Sequence, residues 1–329
     1  LCDLLLLRRK ERGALNFESQ ETEMFLDSQG RIEEIRPVIR LRAHEIIEET
    51  MLCANSCAAE FLQNRNIPVL YRVHKGPSEE RLSSLREFLG SAGLGLAGGD
   101  NPQPSDYQNV LVACKDREDA SLIQLVLLRS MSRACYQSIN EGHFGLNYSV
   151  YVHFTSPIRR YSDLLVHRAI KHALGVSMDV SKGSDFAMEK AEQLLKPSTL
   201  EDLGNLLSFT ERRAEEAARD VTSWLKCEFL LDKIGQEVEG VVVGVQSFGL
   251  FILMDELFVE GLIHVKALPR DYYYYEDKLQ RLVGERSGQV FKLGQRIKAI
   301  VSRVDLQKRK IDLTLFRRKR GKKGKKPAI

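Results

Sequence analysis

The stretch His153-Phe-Thr-Ser-Pro-Ile-Arg-Arg-Tyr-Ser-Asp-Leu-Leu-Val-His-Arg168 reads as the entry into a helix. Ser156 suits an N-cap, because its hydroxyl can accept a free backbone N–H. Pro157 suits the first helical position, where its missing N–H costs nothing. The apolar spacing then predicts a helix over 157–174. Arg159 and Arg160 fall in its first turn, where the helix dipole disfavours cations by roughly 0.3–1 kcal/mol each. A local rule broken in this way often marks a functional site. Two guanidinium groups at a helix N-terminus make a natural clamp for phosphate. The plainer reading is a solvated Arg159–Asp163 pair at i,i+4 spacing, worth only tenths of a kcal/mol.

Upstream, Ile47, Met51, Ala54, Ala58 and Phe61 recur at helical spacing and predict a helix over 41–65 that buries this face. His44, Glu48 and Asn55 form a polar stripe on another side of it. A carboxylate on so apolar a helix needs a partner. That partner is a substrate or metal, or simply solvent or a neighbouring arginine. Cys53 and Cys57, four apart, are expected to line a buried face. The chain opens inside a helical pattern, and 14–40 reads as extended with a turn at Gln29-Gly30. Further helices are expected at 78–90, 105–115, 120–136, 184–195 and 199–231, punctuated by Gly and Pro. The last opens on Thr199-Leu-Glu-Asp202, which resembles a capping box. Its expected packing face is Leu203, Leu207, Ala214, Ala217, Val221 and Trp224.

The character changes at Gly235. Val241-Val-Val, Leu250-Phe-Ile-Leu, Gly261-Leu-Ile-His, Ile297-Lys-Ala-Ile-Val and Ile311-Asp-Leu-Thr-Leu read as five short strands with glycine turns. That number of strands suits a small, partly open barrel of the OB type. Phe248 and Phe251 lie beside a tight Gly turn, where exposed rings could stack bases. Either could instead fill the barrel core. His264 is a core histidine or a stacking partner. Tyr272 to Tyr275 reads as an aromatic run in a polar loop, suited to an RNA surface or to packing.

The 329 residues allow two or three domains, and 43% hydrophobic with 29% charged residues is ordinary for a globular protein. No apolar run approaches the ~20 residues that span a membrane. Leu4 to Leu7, followed at once by basic residues, does not fit a secretory signal. Six scattered cysteines show no zinc spacing and suit a reducing cytoplasm. The net charge is +4, yet Arg317 to Lys326 alone carries eight positive charges, so the remainder is −4. A basic tail of this kind points to a polyanion, most often nucleic acid, or serves solubility or localisation.

Several segments together resemble one family, the RNase II/RNase R (RNB) exoribonucleases, and within it the RNase R-like branch. They are Arg12-Gly-Ala-Leu-Asn-Phe17, Ala43-His-Glu-Ile-Ile-Glu-Glu49, Leu128-Arg-Ser-Met131, His143-Phe-Gly-Leu146, Thr155-Ser-Pro-Ile-Arg-Arg-Tyr161 with Asp163 and His167-Arg168, and Glu211-Arg-Arg-Ala-Glu-Glu-Ala217. Gln246-Ser-Phe-Gly-Leu-Phe251 with Gly261-Leu-Ile-His264 matches the OB-fold's RNA-binding signature. The resemblance implies an α/β (α+β) RNB domain portion, mostly helical, over 1–234. An all-β OB-fold of the S-one type would follow at 235–316, then a basic disordered tail at 317–329.

It also implies hydrolytic, processive 3′-to-5′ degradation of single-stranded RNA to nucleoside 5′-monophosphates, by a cytoplasmic monomer with no membrane attachment. Arg159 matches the catalytic arginine that holds the scissile phosphate, in keeping with phosphoryl-transfer clamps. Phe17 matches the residue stacked on the terminal bases, and Glu48 one that helps hold the 3′ end. Arg160 and Tyr161 share the clamp motif. Phe248, Phe251, His264, Arg309 and Asp305 match RNA contacts of the OB-fold. The family holds magnesium with clustered aspartates upstream of the segment matching Arg12–Phe17. Asp3, Asp27 and Asp163 do not form such a cluster by spacing, so the metal ligands are expected outside this chain, along with the upstream cold-shock domains. Ala218 stands where RNase II has a glutamate, a difference of subfamily. Two functions follow: part of an exoribonuclease that is inactive alone, or a truncated RNA-binding protein using the OB-fold and tail.

Overall fold

A computed structural model describes residues 1–17, 22–117, 119–176, 196–255, 257–276 and 279–316. The expected helix at 184–195 and the basic tail at 317–329 lie outside the described residues. The chain divides into two compact units. The first comprises Leu1–Gln20 and Val38–Ala218, and the second Glu21–Pro37 and Arg219–Ile329. No described helix is long and apolar enough to cross a membrane.

The first unit is mostly helical. Its helices are α1 (Cys2–Arg12), α2 (Arg42–Gln63), α3 (Glu79–Ser91), α4 (Pro104–Cys114), α5 (Ala120–Ser130), α6 (Tyr161–Ala173) and the start of α7 (Pro197–Leu231). Gly13 ends α1 with φ 75°, donating its N–H to a carbonyl of the last turn. Leu85, Leu89, Tyr107, Ile123 and Leu127 form one core between α3, α4 and α5. Ala59, Leu62, Val73, Val152, Val166 and Ala169 form another, between α2, α6 and the extended segment 150–152.

In the second unit, β1 (Thr22–Leu26) and β2 (Ile32–Pro37) pair as an antiparallel hairpin, as the extended reading of 14–40 with its turn required. The five expected barrel strands are present: β5 (Glu237–Gln246), β6 (Gly249–Met254), β7 (Val259–His264), β11 (Arg296–Asp305) and β12 (Lys310–Leu315). They close in the order β11-β12-β7-β6-β5. Leu250, Ile252 and Met254 alternate into the barrel and are fully buried.

Several sequence expectations change. Helix α6 begins at Tyr161, four residues after Pro157, and Arg160 is its N-cap. Ser156 instead opens a separate turn, its carbonyl accepting the N–H groups of Arg159 and Arg160. Helix α5 stops at Ser130, and Cys135–Gln137 (β4) pairs with Tyr71–Val73 (β3). Strand pairing there overrides an apolar period that continues as if helical.

On α2 the buried residues are Glu49, Leu52, Asn55, Ser56, Ala58, Ala59 and Leu62; of the expected face Ala58 is buried, Met51, Ala54 and Phe61 are half-buried, and Ile47 is 59% exposed. Periodicity cannot identify a buried stripe whose polar members have private partners. Cys53 and Cys57 are exposed, not buried. Leu203 and Leu207 of α7 pack against Leu70, Leu165 and Leu200, but Ala214, Ala217 and Val221 face outward and Trp224 is 42% exposed. Thr199 lies inside α7, so it caps nothing. Tyr273–Glu276 (β8) is a strand, not a loop. With β9 (Arg281–Gly284) and β10 (Val290–Lys292) it forms a separate three-stranded sheet, inserted in the chain between β7 and β11.

Gly204 lets α7 lie directly on β4. A Cβ there would stand 2.7 Å from the Tyr136 carbonyl oxygen, while Ser208, one turn on, accepts the Tyr136 N–H at 2.9 Å. Gly204→Ala is therefore expected to destabilise the helical unit by about 1–3 kcal/mol through overpacking. Urea unfolding followed by circular dichroism would show it as a lower midpoint with an unchanged slope.

Candidate functional site

The turn before α6 is built from one buried carboxylate. Asp163 is wholly buried, three residues past the N-cap. Its Oδ1 accepts the Ser156 N–H at 2.7 Å, and Arg160 grips both oxygens, with Nε and Nη2 each at 2.8 Å. Ser162 adds a hydroxyl at 3.0 Å. An acid in the first turn also complements the helix dipole. Arg160 is therefore not a cation misplaced at a helix terminus but one half of a bidentate pair. The pair forms with Arg160, not with Arg159 as the i,i+4 spacing had suggested. Arg159 stands exposed on the turn, and among the described residues no hydrogen bond or ion pair engages its guanidinium. Tyr161 is 38% exposed beside it in sequence, and Ile158 is fully exposed.

Just upstream, the backbone is held from α2. Asn55 is 3% exposed; its Oδ1 accepts the N–H groups of Phe154 and Thr155 at 3.0 and 3.2 Å, and its Nδ2 donates to the Tyr151 hydroxyl at 2.9 Å. His167 of α6 stacks on Phe154 with ring centres 4.3 Å apart. The Thr155 hydroxyl oxygen is buried without a partner.

Glu48 is half-exposed and accepts from Arg9 at 2.8 Å and from Arg40. Arg9 also binds the buried Glu49 at 2.6 Å. Burial disfavours charge on Arg9, but its hydrogen bonds to Glu48 and Glu49 outweigh this and raise its pKa. Among neighbours, Arg12 lies over the Tyr148 ring at 3.9 Å, and Tyr148 stacks on Tyr151. Phe17 packs against the core of α3 to α5 and is half-buried. The sequence pointed to Glu48 but not to its partners. Arg9 is one of several basic residues in a row with nothing in the sequence to single it out, and Glu49 shows no pattern that separates it from Glu48.

Three histidines, His74, His143 and His153, lie close to one another and to Tyr151, and among the described residues none hydrogen-bonds a carboxylate. The rings of His74 and His143 lie 5.0 Å apart, and the Tyr136 hydroxyl meets His153 Nδ1 at 2.8 Å. Burial lowers the pKa of His143 to about 3, helped by the charges of His74 and Arg72. Burial likewise lowers His153 to about 2, helped by Arg160 and Arg72.

In the second unit, Ser247 and Phe248 form the tight turn between β5 and β6. Phe248 is 45% exposed and meets Phe251 edge-to-face at 6.0 Å. Phe251 points out of the barrel, paired across from Leu262, with His264 two residues further along the same face. His264 is exposed, and its Nδ1 accepts the Lys266 N–H. The three rings thus share one outer face, and neither phenylalanine fills the core. Arg309 lies in the β11–β12 turn, paired with Asp220 at 3.0 Å. Asp305 braces that turn by accepting the Lys308 N–H.

Among the described residues, no three His, Cys, Asp or Glu side chains are placed to hold a metal ion.

Residues 3–176 match the RNB domain family model, and residues 231–316 match the S1 RNA binding domain. The chain is similar to Ribonuclease R of Vibrio cholerae, 45% identical over 96% of this chain and 38% of that protein. It is similar to Ribonuclease R of Escherichia coli, 44% identical over 94% of this chain and 38% of that protein. The chain thus spans about two fifths of the length of these relatives. Among solved structures it resembles Mycoplasma genitalium RNase R in complex with ribose methylated single-stranded RNA. That match has TM-score 0.87 and 30% identity, covering 96% of this chain and 48% of that one.

Proposed function

The chain belongs to the RNB family, and from that membership we propose that it is the RNA-gripping part of a 3′-to-5′ hydrolytic exoribonuclease releasing nucleoside 5′-monophosphates. The observation that carries this reading is Arg159, a guanidinium with no partner among the described residues, on a turn whose other arginine, Arg160, is taken by Asp163. A partner-free cation on a braced turn can bind the scissile phosphate and offset the charge gained in the transition state. Phe17 offers a partly open ring to the terminal bases. Glu48, aimed by Arg9 and Arg40, keeps an exposed edge that can accept from a ribose hydroxyl at the 3′ end. Phe248, Phe251 and His264 present a stacking face for upstream nucleotides. The proposed partner is single-stranded RNA, bound by a cytoplasmic monomer. Magnesium in the complete enzyme would activate the attacking water.

Fluorescence anisotropy with a labelled single-stranded oligoribonucleotide tests the reading. Phe248→Ala is expected to cost about 1–3 kcal/mol of binding, the worth of a stacked base. Arg159→Ala is expected to cost about 1.5–3 kcal/mol, the worth of a hydrogen bond to a charged group. RNA binding indifferent to both substitutions would overturn it. With magnesium added, this chain alone is expected to bind without shortening the RNA. Stepwise shortening that Arg159→Ala abolishes would refute that expectation and place the metal ligands within this chain.

A further inference from the structure

We propose that Asn55 is a positioning residue for Arg159, acting through the backbone between them. The inference rests on the phosphate-clamp reading of Arg159. It assigns Asn55, which sits on α2 and lies a long way in sequence from the turn.

The argument starts from three consecutive N–H groups, those of Phe154, Thr155 and Ser156. None is paired by a helix or strand, and each is taken by a buried side chain. Asn55 Oδ1 accepts the first two at 3.0 and 3.2 Å, and Asp163 Oδ1 accepts the third at 2.7 Å. The Ser156 carbonyl then accepts from Arg159 and Arg160 N–H, which closes the turn. Asp163 fixes the turn from the side of α6, and Asn55 fixes it from the side of α2. Without Asn55 the turn would be anchored from one direction only, and Arg159 could swing with the segment.

Asn55 is well suited to this task. Its amide oxygen has two lone pairs, and both are used; one of its N–H bonds is spent on the Tyr151 hydroxyl at 2.9 Å, which fixes the amide's orientation. Tyr151 is itself held between the Tyr148 ring, stacked at 5.6 Å, and the edge of His143. The amide cannot rotate away without leaving two buried N–H groups unpaired, which is costly. Glu48 lies seven residues before Asn55, almost two turns along the same helix. One rigid element therefore carries both the proposed 3′-end contact and the brace for the phosphate clamp. Preorganisation of this kind keeps a charged donor where charge develops.

The test is a double-mutant cycle on the full chain, read by anisotropy with a labelled single-stranded trinucleotide, together with amide exchange. Asn55→Leu should weaken binding roughly tenfold, within the range for an unpaired buried donor. In an Arg159→Ala background the same change should alter affinity by less than about twofold, because coupled residues do not add. Asn55→Asp, which keeps an acceptor for both N–H groups, should restore most of the affinity. Amides of Phe154 and Thr155 should lose protection in Asn55→Leu, while those of Leu52 to Leu62 keep theirs. If Asn55→Leu loses its thermal transition, Asn55→Ser carries the same cycle. Independent, multiplying losses would overturn the proposal, as would unchanged protection at Phe154 and Thr155. If Arg159→Ala leaves affinity unchanged, the clamp reading is what fails, and the exchange data still decide for or against Asn55.

Discussion

Asp163→Ala is expected to destabilise the helical unit by about 3–5 kcal/mol, the usual loss when one partner of a buried ion pair is removed. Asp163 is fully buried and serves four donors: Ser156 N–H, the Ser162 hydroxyl, and Arg160 through Nε and Nη2. Its removal leaves Arg160, whose side chain is 19% exposed, without its counter-charge. It also leaves the Ser156 N–H unpaired and takes the acid from the first turn of α6. Asp163→Asn should cost less, since one amide oxygen can still accept from Ser156 while the bidentate grip is lost. A double change, Arg160→Leu with Asp163→Leu, should recover part of the loss, because no charge is left stranded. The measurement is urea unfolding followed by helical circular dichroism. A loss below about 1 kcal/mol, the ordinary worth of an exposed pair, would show that Asp163 does not organise the turn.

The same residue shows why the sequence could be read only so far. The composition of Thr155–Tyr161 is enough to flag guanidinium chemistry, but helix propensity puts the helix start at Pro157. The actual start at Tyr161 depends on where the Asp163 carboxylate finds donors, a tertiary matter. The barrel strands were legible because β-branched runs alternate between glycine turns, and β6 buries every second residue. The strand at Tyr273–Glu276 was not legible, since four adjacent aromatic and acidic residues show no alternation until Tyr273 is seen to be buried and Tyr274 exposed. On α2 the polar stripe was visible, yet Asn55 and Glu49 face inward because Tyr151 and Arg9 await them. Such partners lie dozens of residues away, beyond any local pattern. The aromatic face of Phe248, Phe251 and His264 was legible as residues but not as a surface. Arg309, assigned to the same RNA contacts by resemblance, forms an exposed ion pair with Asp220 that no local pattern announces.

Acid should destabilise the helical unit as soon as pH falls below ~6.5. His143 and His153 are held neutral by burial, with pKa values lowered to about 3 and about 2, and that of His74 is lowered as well. The direction of the effect follows from proton counts. The unfolded chain binds protons on these rings as pH falls through ~6.5, while the folded chain refuses them until near pH 3. Stability is therefore complete above pH ~6.5 and declines steadily below it. At pH 5 each of the two most shifted rings should cost about 2 kcal/mol, or about 4 kcal/mol together. The fields of Arg72 on both rings and of Arg160 on His153 act in the same direction as burial and further disfavour protonation. Urea midpoints measured from pH 7.5 to 4.5 would trace the decline. His153→Gln should flatten it, since an amide can meet the Tyr136 hydroxyl and carries no titrating group. Stability that stays level between pH 7 and 5 would mean that these rings reach water, and that the aromatic packing of His74, His143 and Tyr151 does not seal the region behind Arg159.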